Sequence, residues 1–307
     1  MIGQVIKSTG SWYEVETESG EHLKSRLRGK FRTKGIKVNN PIAVGDFVEI
    51  EKEEAHDNAA LITKILDREN YIIRKSTRKS GFSHILASNI DQALVLATLS
   101  FPRTSLGFID RFLVSAESFR IPALVVFNKR DLLKDKEIDH CEEVMKMYEG
   151  LGYKTHLISS QKSLGLDALL ENLQGKTTLI AGHSGVGKST LLNELVPNLE
   201  QKTGEVSTFA NKGTHTTTFA EMFKINAKSK IIDTPGIKEL GLVEMTSTEI
   251  SHYFPEMRAY LGQCKYNDCT HTNEPGCAVL KALVEGEIAD SRFNSYLSIL
   301  ENYDGHR

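Results

Sequence analysis

Residues able to hold phosphate groups are concentrated in one glycine-rich segment, Gly182-His183-Ser184-Gly185-Val186-Gly187-Lys188-Ser189-Thr190. Its glycines let the backbone turn tightly, so that the N–H groups converge on phosphate oxygens. The ammonium of Lys188 can then reach the β- and γ-phosphates of a nucleotide, and the hydroxyl of Ser189 can ligate Mg²⁺. The segment therefore predicts a site for a nucleoside triphosphate with its magnesium ion.

The residues on either side of this loop predict the elements that must position it. The apolar run at 177–181 precedes the loop as a buried strand, and the run at 191–195 follows it as the start of a helix. A helix that begins at the loop adds the positive end of its dipole to the phosphate site. The alternative, a glycine-rich turn without a ligand, does not require this order of strand, loop and helix.

A second motif, Asn128-Lys129-Arg130-Asp131, follows a predicted buried strand at 123–127 and matches the base-recognition motif of GTPases. The carboxylate of Asp131 can accept hydrogen bonds from the N1–H and the N2 amino group of guanine, whereas adenine would leave it unpaired. Asn128 can bond the far edge of the purine, and Lys129 can lie along its face. After the next predicted strand, Ser159 and Ser160 are expected to turn a backbone N–H toward guanine O6. A plain turn at a strand end is the alternative.

Further residues are predicted to complete the magnesium and γ-phosphate site. The polar loop at 200–218 should supply a threonine, by spacing Thr217, with Thr216 as the alternative. A predicted strand at 230–232 leads into Asp233-Thr234-Pro235-Gly236. Asp233 would hold Mg²⁺ through water, and the N–H of Gly236 would sense the γ-phosphate. The loop is expected to become ordered when the nucleotide is bound.

The motifs do not supply an obvious group to activate water. Ile237 stands where a water-orienting glutamine is often found, and an apolar side chain cannot orient water. We therefore expect slow intrinsic hydrolysis that awaits help from a partner. His215 is the nearest candidate by residue type, and an exposed loop histidine without a catalytic role is the alternative.

A third constellation lies near the end of the chain, with the spacing Cys264-x₄-Cys269-x-His271-x₅-Cys277. Three thiolates and an imidazole suit one closed tetrahedral Zn²⁺ site, which leaves no open position for catalysis. In a cytosolic protein such a cluster favours metal over disulfides. We predict a structural zinc knuckle, with unrelated free cysteines as the alternative. Helices are predicted around it at 249–261, 278–283 and 291–300.

The start of the chain predicts a different architecture. Short β-like runs at 2–6, 12–16, 46–50 and 60–65 alternate with turn residues and indicate a small β-barrel of the OB-fold type. A loop is predicted between the second and third runs, and it carries seven positive charges without an acid, Lys24, Arg26, Arg28, Lys30, Arg32, Lys34 and Lys37. Phe31 lies among them. Such a loop predicts contact with a phosphate backbone and base stacking, and a solvated loop is the alternative.

Strands alternate with helices from residue 89 onward, which indicates a mostly parallel sheet covered by helices on both faces. The order of the motifs is unusual, because common GTPases place the phosphate loop first and the base-recognition motif near the end. Here the base-recognition motif precedes the phosphate loop, so a circularly permuted GTPase domain is predicted. The segment after Asp233 then leads directly into the C-terminal domain. We hypothesise that nucleotide state reorients residues 240–307.

Composition sets the remaining expectations. The chain has 307 residues, of which 40% are hydrophobic, and this is enough for several cores. We predict an OB-fold domain at 1–70, a basic linker at 71–81, the GTPase domain at 82–239 and a helical zinc domain at 240–307. No apolar run approaches the roughly 20 residues that span a bilayer, so a cytoplasmic protein without a membrane partner is expected. The first 80 residues carry a net positive charge and the remainder a net negative charge.

Together the permuted motifs, the basic barrel and the cysteine knuckle resemble the ribosome small-subunit-dependent GTPase A family, RsgA, also called YjeQ, throughout the chain. The resemblance implies a bacterial GTPase that binds the 30S subunit and its 16S rRNA late in maturation. It further implies that the subunit stimulates hydrolysis of GTP to GDP and that the protein then leaves. Residues 128–131 and 182–190 carry over as nucleotide contacts. The zinc ligands carry over as Cys264, Cys269, His271 and Cys277.

Two other functions stay open at this point. A GTP-dependent switch on some other RNA would show RNA-stimulated turnover without a preference for intact subunits. A metabolic P-loop kinase is disfavoured because the motif at 128–131 selects guanine and no acceptor-substrate motif is present. For the ribosomal reading we expect a monomer, with assembly factors on the 30S subunit as further candidate partners.

Overall fold

The protein is described by a computed structural model that covers residues 1–28, 40–53, 58–75, 83–197, 199, 220–234 and 245–304. Several residues singled out in the sequence lie outside these ranges, namely Phe31, His215, Thr216, Thr217, Gly236 and Ile237. Of the seven cations predicted on a loop, Lys24, Arg26 and Arg28 lie within them. Within the part of the chain that is described, no helix combines the length and apolar composition needed to cross a membrane.

The N-terminal strands close into a small barrel, as predicted. They are β1 (Ile2–Ser8), β2 (Tyr13–Thr17), β3 (His22–Leu27), β4 (Phe47–Lys52) and β5 (Ala59–Ile65). The strands pair in the order β1-β2-β3-β5-β4, and β4 returns to pair with β1. The interior is filled by alternate apolar residues such as Val5, Val15, Leu23, Ile50 and Ile62. This closed five-strand barrel confirms the OB-type prediction.

The prediction that the cationic residues from Lys24 onward form a loop is wrong at its start, because Lys24 and Arg26 lie on β3. Leu23 and Ser25 alternate with them and are fully buried. Alternation of buried and exposed residues is the pattern of a strand with one face in a core. The cations of this segment therefore occupy the outer face of a strand.

A two-stranded hairpin, β6 (Tyr71–Lys75) and β7 (Ser83–Ser88), follows the barrel. The segment predicted as a linker thus begins with a strand. Pairing with β7 places Ile72 and Ile73 of this strand in buried positions. The hairpin is bonded to the barrel through the fully buried Asp46, whose carboxylate accepts hydrogen bonds from Arg68 and from Ser88 Oγ, each at 2.6 Å.

The central domain alternates strands and helices. In chain order its elements are β8 (Gln92–Ala97), α1 (Leu106–Ser118), β9 (Ala123–Phe127), α2 (Asp135–Gly150), β10 (Lys154–Leu157), α3 (Leu166–Leu173), β11 (Thr177–Gly182), α4 (Lys188–Leu195), β12 (Glu221–Lys224) and β13 (Lys230–Asp233). The strands lie in the order β10-β9-β8-β11-β13-β12, with all pairs parallel except β12–β13. The strand of the phosphate loop, β11, therefore returns past β9 and β8 to the middle of the sheet.

Two apolar layers cover this sheet, as expected for parallel strands buried on both faces. One contains Val95, Val125, Phe112 and Tyr148, and it is covered by α1 and α2. The other contains Leu94, Val126, Leu169 and Leu192, and it is covered by α3 and α4. This arrangement confirms the predicted α/β class and leaves the carboxyl ends of the strands free for the motifs.

The C-terminal domain is helical, but its first predicted helix is broken. Residues Ser247–Tyr253 form a 3₁₀ segment and Pro255–Arg258 a short helix, α5, followed by α6 (Ala278–Val284) and α7 (Asp290–Asp304). Pro255 ends the first segment because a proline disfavours helical geometry at the preceding residue. Phe254 accordingly has extended dihedrals, with φ −102° and ψ 107°. The single helix predicted over 249–261 is thus corrected to two short ones.

Candidate functional site

The glycine-rich loop connects β11 to α4 at the carboxyl edge of the sheet, where ligands of such sheets bind. Gly187 has φ +96°, and a Cβ there would lie 2.4 Å from Nδ2 of Asn128. A Cβ on Gly182 would lie 2.7 Å from the carbonyl oxygen of Leu96 on β8. Glycine is therefore required at both positions by close packing, besides the dihedral freedom that Gly187 needs.

Asn128 links the two motifs that were predicted separately. Its side chain is 3% exposed, and Nδ2 donates to the backbone oxygen of Val186 in the phosphate loop at 2.8 Å. Its Oδ1 accepts hydrogen bonds from the backbone N–H and the hydroxyl of Ser160, at 2.9 and 3.0 Å. We expected Asn128 to bond the edge of the purine. That contact stays a prediction. In the structure the amide of Asn128 holds the phosphate loop and the serine turn together, which fixes the walls of the pocket.

The other residues of the base-recognition motif surround the same pocket. The hydroxyl of Ser159 donates to Oδ1 of Asp131. Lys129 has φ +67°, and its ammonium donates to the backbone oxygen of Phe101 at 2.9 Å. Arg130 is exposed and begins a single 3₁₀ turn. Asp131 is thus oriented by a fully buried serine before any base arrives.

Lys188 and Asp233 face each other at the phosphate end of the pocket. Lys188 begins α4 after the phosphate loop, and Asp233 ends β13, the parallel neighbour of β11. Nζ of Lys188 lies 2.6 Å from Oδ1 of Asp233. Both side chains are largely buried, at 17% and 15% exposure. Ser189 and Thr190 form the first turn of α4 beside them. A lysine, a carboxylate and a helix N-terminus at one point make a site for a phosphate chain with its cation.

Sequence reasoning missed the loop after β8, which forms another wall of the pocket. Pro102 would be 3.3 Å from a Cβ on Gly185, and Phe101, 75% exposed, supplies the carbonyl that Lys129 bonds. In the first turn of α1, the ring of Phe108 contacts the ring of His183 in the phosphate loop, with ring centroids 3.8 Å apart and planes tilted by 36°. The position of this loop at the carboxyl end of a parallel strand was the available signal.

The four predicted metal ligands lie together in the C-terminal domain. The ligand atoms of Cys264, Cys269, His271 and Cys277 are all within 4.8 Å of one another. The Sγ atoms of Cys264 and Cys277 are 3.8 Å apart, and Nδ1 of His271 lies 3.5 and 3.4 Å from them. Ligands about 2.3 Å from a tetrahedral zinc ion are separated by about 3.7 Å, so the cluster fits that ion.

Burial shifts the pKa values of two of the predicted ligands. It lowers the pKa of His271, which favours the neutral, ligating form of the imidazole, and it raises the pKa of the Cys269 thiol to about 12. A metal ion must displace the thiol protons when it binds. Burial would raise the pKa of Glu274, but hydrogen bonds from Thr270 and the surrounding backbone lower it to about 2. Glu274 thereby orders the turn that carries the ligands.

A phosphate-binding loop, a guanine-type motif and an aspartate at the end of β13 meet at one edge of a parallel sheet in permuted order. This arrangement defines a circularly permuted P-loop GTPase. The chain matches the family descriptions "RsgA N-terminal domain" over residues 2–61 and "RsgA GTPase" over residues 65–243. It therefore belongs to the RsgA GTPase family and is a GTP hydrolase, as the sequence motifs predicted.

Relatives and solved structures agree over the whole chain. The chain is 51% identical to "Small ribosomal subunit biogenesis GTPase RsgA" of Cytophaga hutchinsonii, covering 100% of both chains. It is 50% identical to the protein of the same name from Bacteroides fragilis, covering 98% of this chain and 97% of that one. The crystal structure of YjeQ from Thermotoga maritima superposes with a TM-score of 0.79 at 34% identity, over 100% of this chain and 99% of that one. A structure described as YloQ, a circularly permuted GTPase, gives 0.73 at 27% identity, over 100% and 96%.

Proposed function

We propose that this protein binds the small ribosomal subunit late in its maturation, is activated there, and is released when it hydrolyses GTP. The observation that carries the proposal is the match of about 50% identity along all three parts of the chain to relatives named for small-subunit biogenesis. A likeness confined to the GTPase domain would support hydrolysis alone. The match includes the barrel and the knuckle, which are the parts available to hold a partner.

We further assign roles to the residues of the nucleotide site. Lys188 would exchange its contact with Asp233 for the β- and γ-phosphates of GTP. Ser189 and Asp233 would hold a magnesium ion, Asp233 through water, and that ion would supply positive charge beside the phosphates. Asp131 reads guanine. The backbones of residues 182–187 and 159–160 hold the phosphates and the base.

Three roles rest on sequence alone, because their residues lie outside the described ranges. They are Thr217 on magnesium, Gly236 on the γ-phosphate and His215 beside the attacking water. With Ile237 unable to orient water, the proposal places the missing catalytic help on the ribosomal subunit. This predicts that turnover without the subunit is slow.

The zinc ion and the domain limits belong to the same proposal. Cys264, Cys269, His271 and Cys277 would hold one structural Zn²⁺, whose contribution is to fix the fold of the C-terminal domain. We assign residues 1–70 to the RNA-binding barrel, 82–239 to the GTPase domain and 240–307 to the zinc domain, with 71–81 as a connection that begins with β6. The protein would act as a monomer in the cytoplasm on 16S rRNA within the subunit, where assembly factors are its neighbours.

Co-sedimentation with purified subunits tests binding and release. The full chain is spun with 30S particles in GDP, in a non-hydrolysable GTP analogue and without nucleotide. We expect most of the protein in the 30S pellet with the analogue and little with GDP. Asp131→Ala serves as the control and should lose the nucleotide dependence. Equal pelleting with 30S and 50S particles, or equal pelleting with analogue and GDP, would contradict the proposal.

A further inference from the structure

The barrel carries an exposed aromatic ring that none of the motifs includes. Trp12 lies in the turn between β1 and β2 and is 39% exposed. The turn is held by two hydrogen bonds from Thr9, whose N–H and hydroxyl donate to the backbone oxygen of Trp12 at 2.9 and 3.1 Å. The backbone that carries the indole is therefore already ordered, so ligand binding costs less conformational entropy there.

Two cations of β3 lie against this ring. Nζ of Lys24 is 4.9 Å from the ring centroid, and the guanidinium carbon of Arg26 is 6.0 Å from it. The pairing of Tyr13 with Ser25 places Trp12 on the same outer face of the sheet as these two residues. Arg26 also bonds Glu53 at 2.8 Å, whereas Lys24 makes no ion pair with any carboxylate that the structure describes. Lys24 is thus a positive charge available to a partner.

A cleft of about 370 Å³ opens beside the ring. This is within the range of about 300–1,000 Å³ that small-ligand sites occupy. The hydroxyl of Thr9 and the amide of Asn58 line it and can bond the edge of a base. Two charged residues of the lining are already paired, Lys7 with Glu221 at 2.8 Å and Glu14 with His22 at 2.9 Å, so Lys24 supplies the available positive charge. An aromatic platform, edge-bonding groups and an available cation are the components of a single-strand site.

We propose that Trp12 and Lys24 form a stacking site for one unpaired base of a single-stranded RNA. The base lies on the indole within the cleft, and Lys24 contacts the adjoining phosphate. Duplex RNA is excluded, because its bases are stacked on each other and its grooves present edges and backbone rather than faces. The inference rests on the proposed function, since it specifies the RNA chemistry that the barrel would recognise.

The protein offers its own probe, because Trp12 is the one tryptophan of the 307 residues. The full chain is titrated with a single-stranded decauridylate and, separately, with a ten-base-pair RNA duplex. We expect saturable quenching of Trp12 fluorescence by the single strand and little change with the duplex. Equal quenching by the duplex would overturn the proposal. Quenching by a proline-rich decapeptide and not by RNA would also overturn it and assign the cleft to a peptide.

Variants separate stacking from charge. With a labelled decauridylate, Trp12→Ala should weaken binding about tenfold and leave the salt dependence unchanged, whereas Trp12→Phe should retain most affinity. Lys24→Gln should lower the slope of log K against log salt by about 0.7, the value for one phosphate contact on a single strand. Phe47→Ala is the matched control, because Phe47 is 42% exposed on β4 of the same barrel.

Unchanged affinity in Trp12→Ala, or an equal loss in Phe47→Ala, would contradict a site at Trp12. These titrations contain no ribosomal particle and no hydrolysis. Failure here alongside intact stimulation by 30S particles would remove this site alone. Success here alongside turnover that no particle stimulates would remove the proposed function alone.

Discussion

The barrel meets the central sheet where β1 pairs with β12, and there Lys7 bonds Glu221 and Glu16 bonds Lys224. The C-terminal domain meets it through Arg292 of α7, whose guanidinium lies 2.7 Å from Asp110 of α1. In the barrel contact Lys7 and Glu221 are 38% and 36% exposed, and Lys224 and Glu16 are 51% and 8% exposed. Arg292 and Asp110 are 1% and 0% exposed.

The difference in burial decides what each contact contributes. Exposed ion pairs contribute about 0–1 kcal/mol, because water screens them and long side chains must be ordered. Removing one partner of a buried pair costs about 3–5 kcal/mol, because a charge is left without compensation. Arg292 also bonds Glu256 at 2.7 Å and lies over the ring of Phe254. In each barrel pair at least one side chain is more than a third exposed, whereas Arg292 and Asp110 are both buried. The buried pair therefore fixes the C-terminal domain to α1 more firmly than either ion pair fixes the barrel to β12.

This comparison bears on the hypothesis that nucleotide state reorients residues 240–307. Helix α1 contacts the phosphate loop through Phe108 and the C-terminal domain through Asp110, two residues further along. A reorientation must either carry α1 with the C-terminal domain or break the buried pair. Since breaking it is costly, we expect α1 to move together with that domain.

The largest effect should come from removing the metal of the C-terminal domain. Binding free energies of structural zinc in small domains are about 10–16 kcal/mol, and this domain gathers four ligands within 4.8 Å. We expect Cys269→Ser to lose bound zinc, measured by metal analysis, and to lose hydrogen-exchange protection in α6 and α7. Cys141→Ser, at a buried thiol far from the cluster in sequence, is the control. Protection in α7 that survives without metal would contradict a structural role.

The next effect tests the buried ion pair between Arg292 and Asp110. Arg292→Met leaves Asp110 and Glu256 buried without a cation, so the free energy of unfolding should fall by about 3–5 kcal/mol in urea titrations. Arg258→Met is the control, since its pair with Glu117 is 48% and 26% exposed, and it should cost less than about 1 kcal/mol. Equal losses in both variants would show that burial does not distinguish the two kinds of contact.

Replacing a glycine at the contact between the barrel and the β6–β7 hairpin should also be costly. Gly45 has φ +98°, and a Cβ there would lie 2.0 Å from the backbone oxygen of Ser88 on β7. Gly45→Ala should cost about 2 kcal/mol or more, measured by thermal unfolding, because the strained dihedral adds to the clash. Gly20→Ala is the matched control, with φ +83° and open space around it, and should show the strain alone.

The smallest effect is a pH dependence at the barrel contact. Burial would raise the pKa of Glu16, but the hydrogen bond and charge of Lys224 lower it below its ordinary 4.5. A lowered folded-state pKa gives a contribution that is present above the unfolded value and is lost as pH falls below it. Glu16→Gln should therefore be less stable than wild type by up to about 1 kcal/mol at pH 7. The difference should shrink toward pH 3.5 in paired urea titrations, and a growing difference would contradict the assigned sign.

The sequence predicted the nucleotide motifs and the metal cluster well because each depends on residues close together in the chain. Short-range backbone geometry fixes the distances between residues within the phosphate loop or the knuckle. The positions of these residues in the fold therefore follow from the local pattern. The hydrogen-bond partners of the Asn128 side chain could not be predicted this way, because Val186 and Ser160 are 58 and 32 residues distant in the chain.

Long-range charge pairs and surface chemistry were also beyond the sequence. Arg292 and Asp110 are separated by 182 residues, and nothing in either neighbourhood marks them as partners. The sequence predicted Lys24 in a cationic loop, whereas the structure has it on β3 beside Trp12. In both cases burial and pairing, which only the tertiary structure defines, change the meaning of a charge.

The most direct test of the account is GTP turnover by the purified full chain, alone and with saturating 30S, 50S or 70S particles. We expect slow turnover alone, strong stimulation by 30S particles, and weak stimulation by 50S particles. That result would locate the missing catalytic help on the small subunit. Slow turnover unchanged by any of the three particles would contradict activation by the small subunit and leave a guanine-nucleotide switch that answers to another partner.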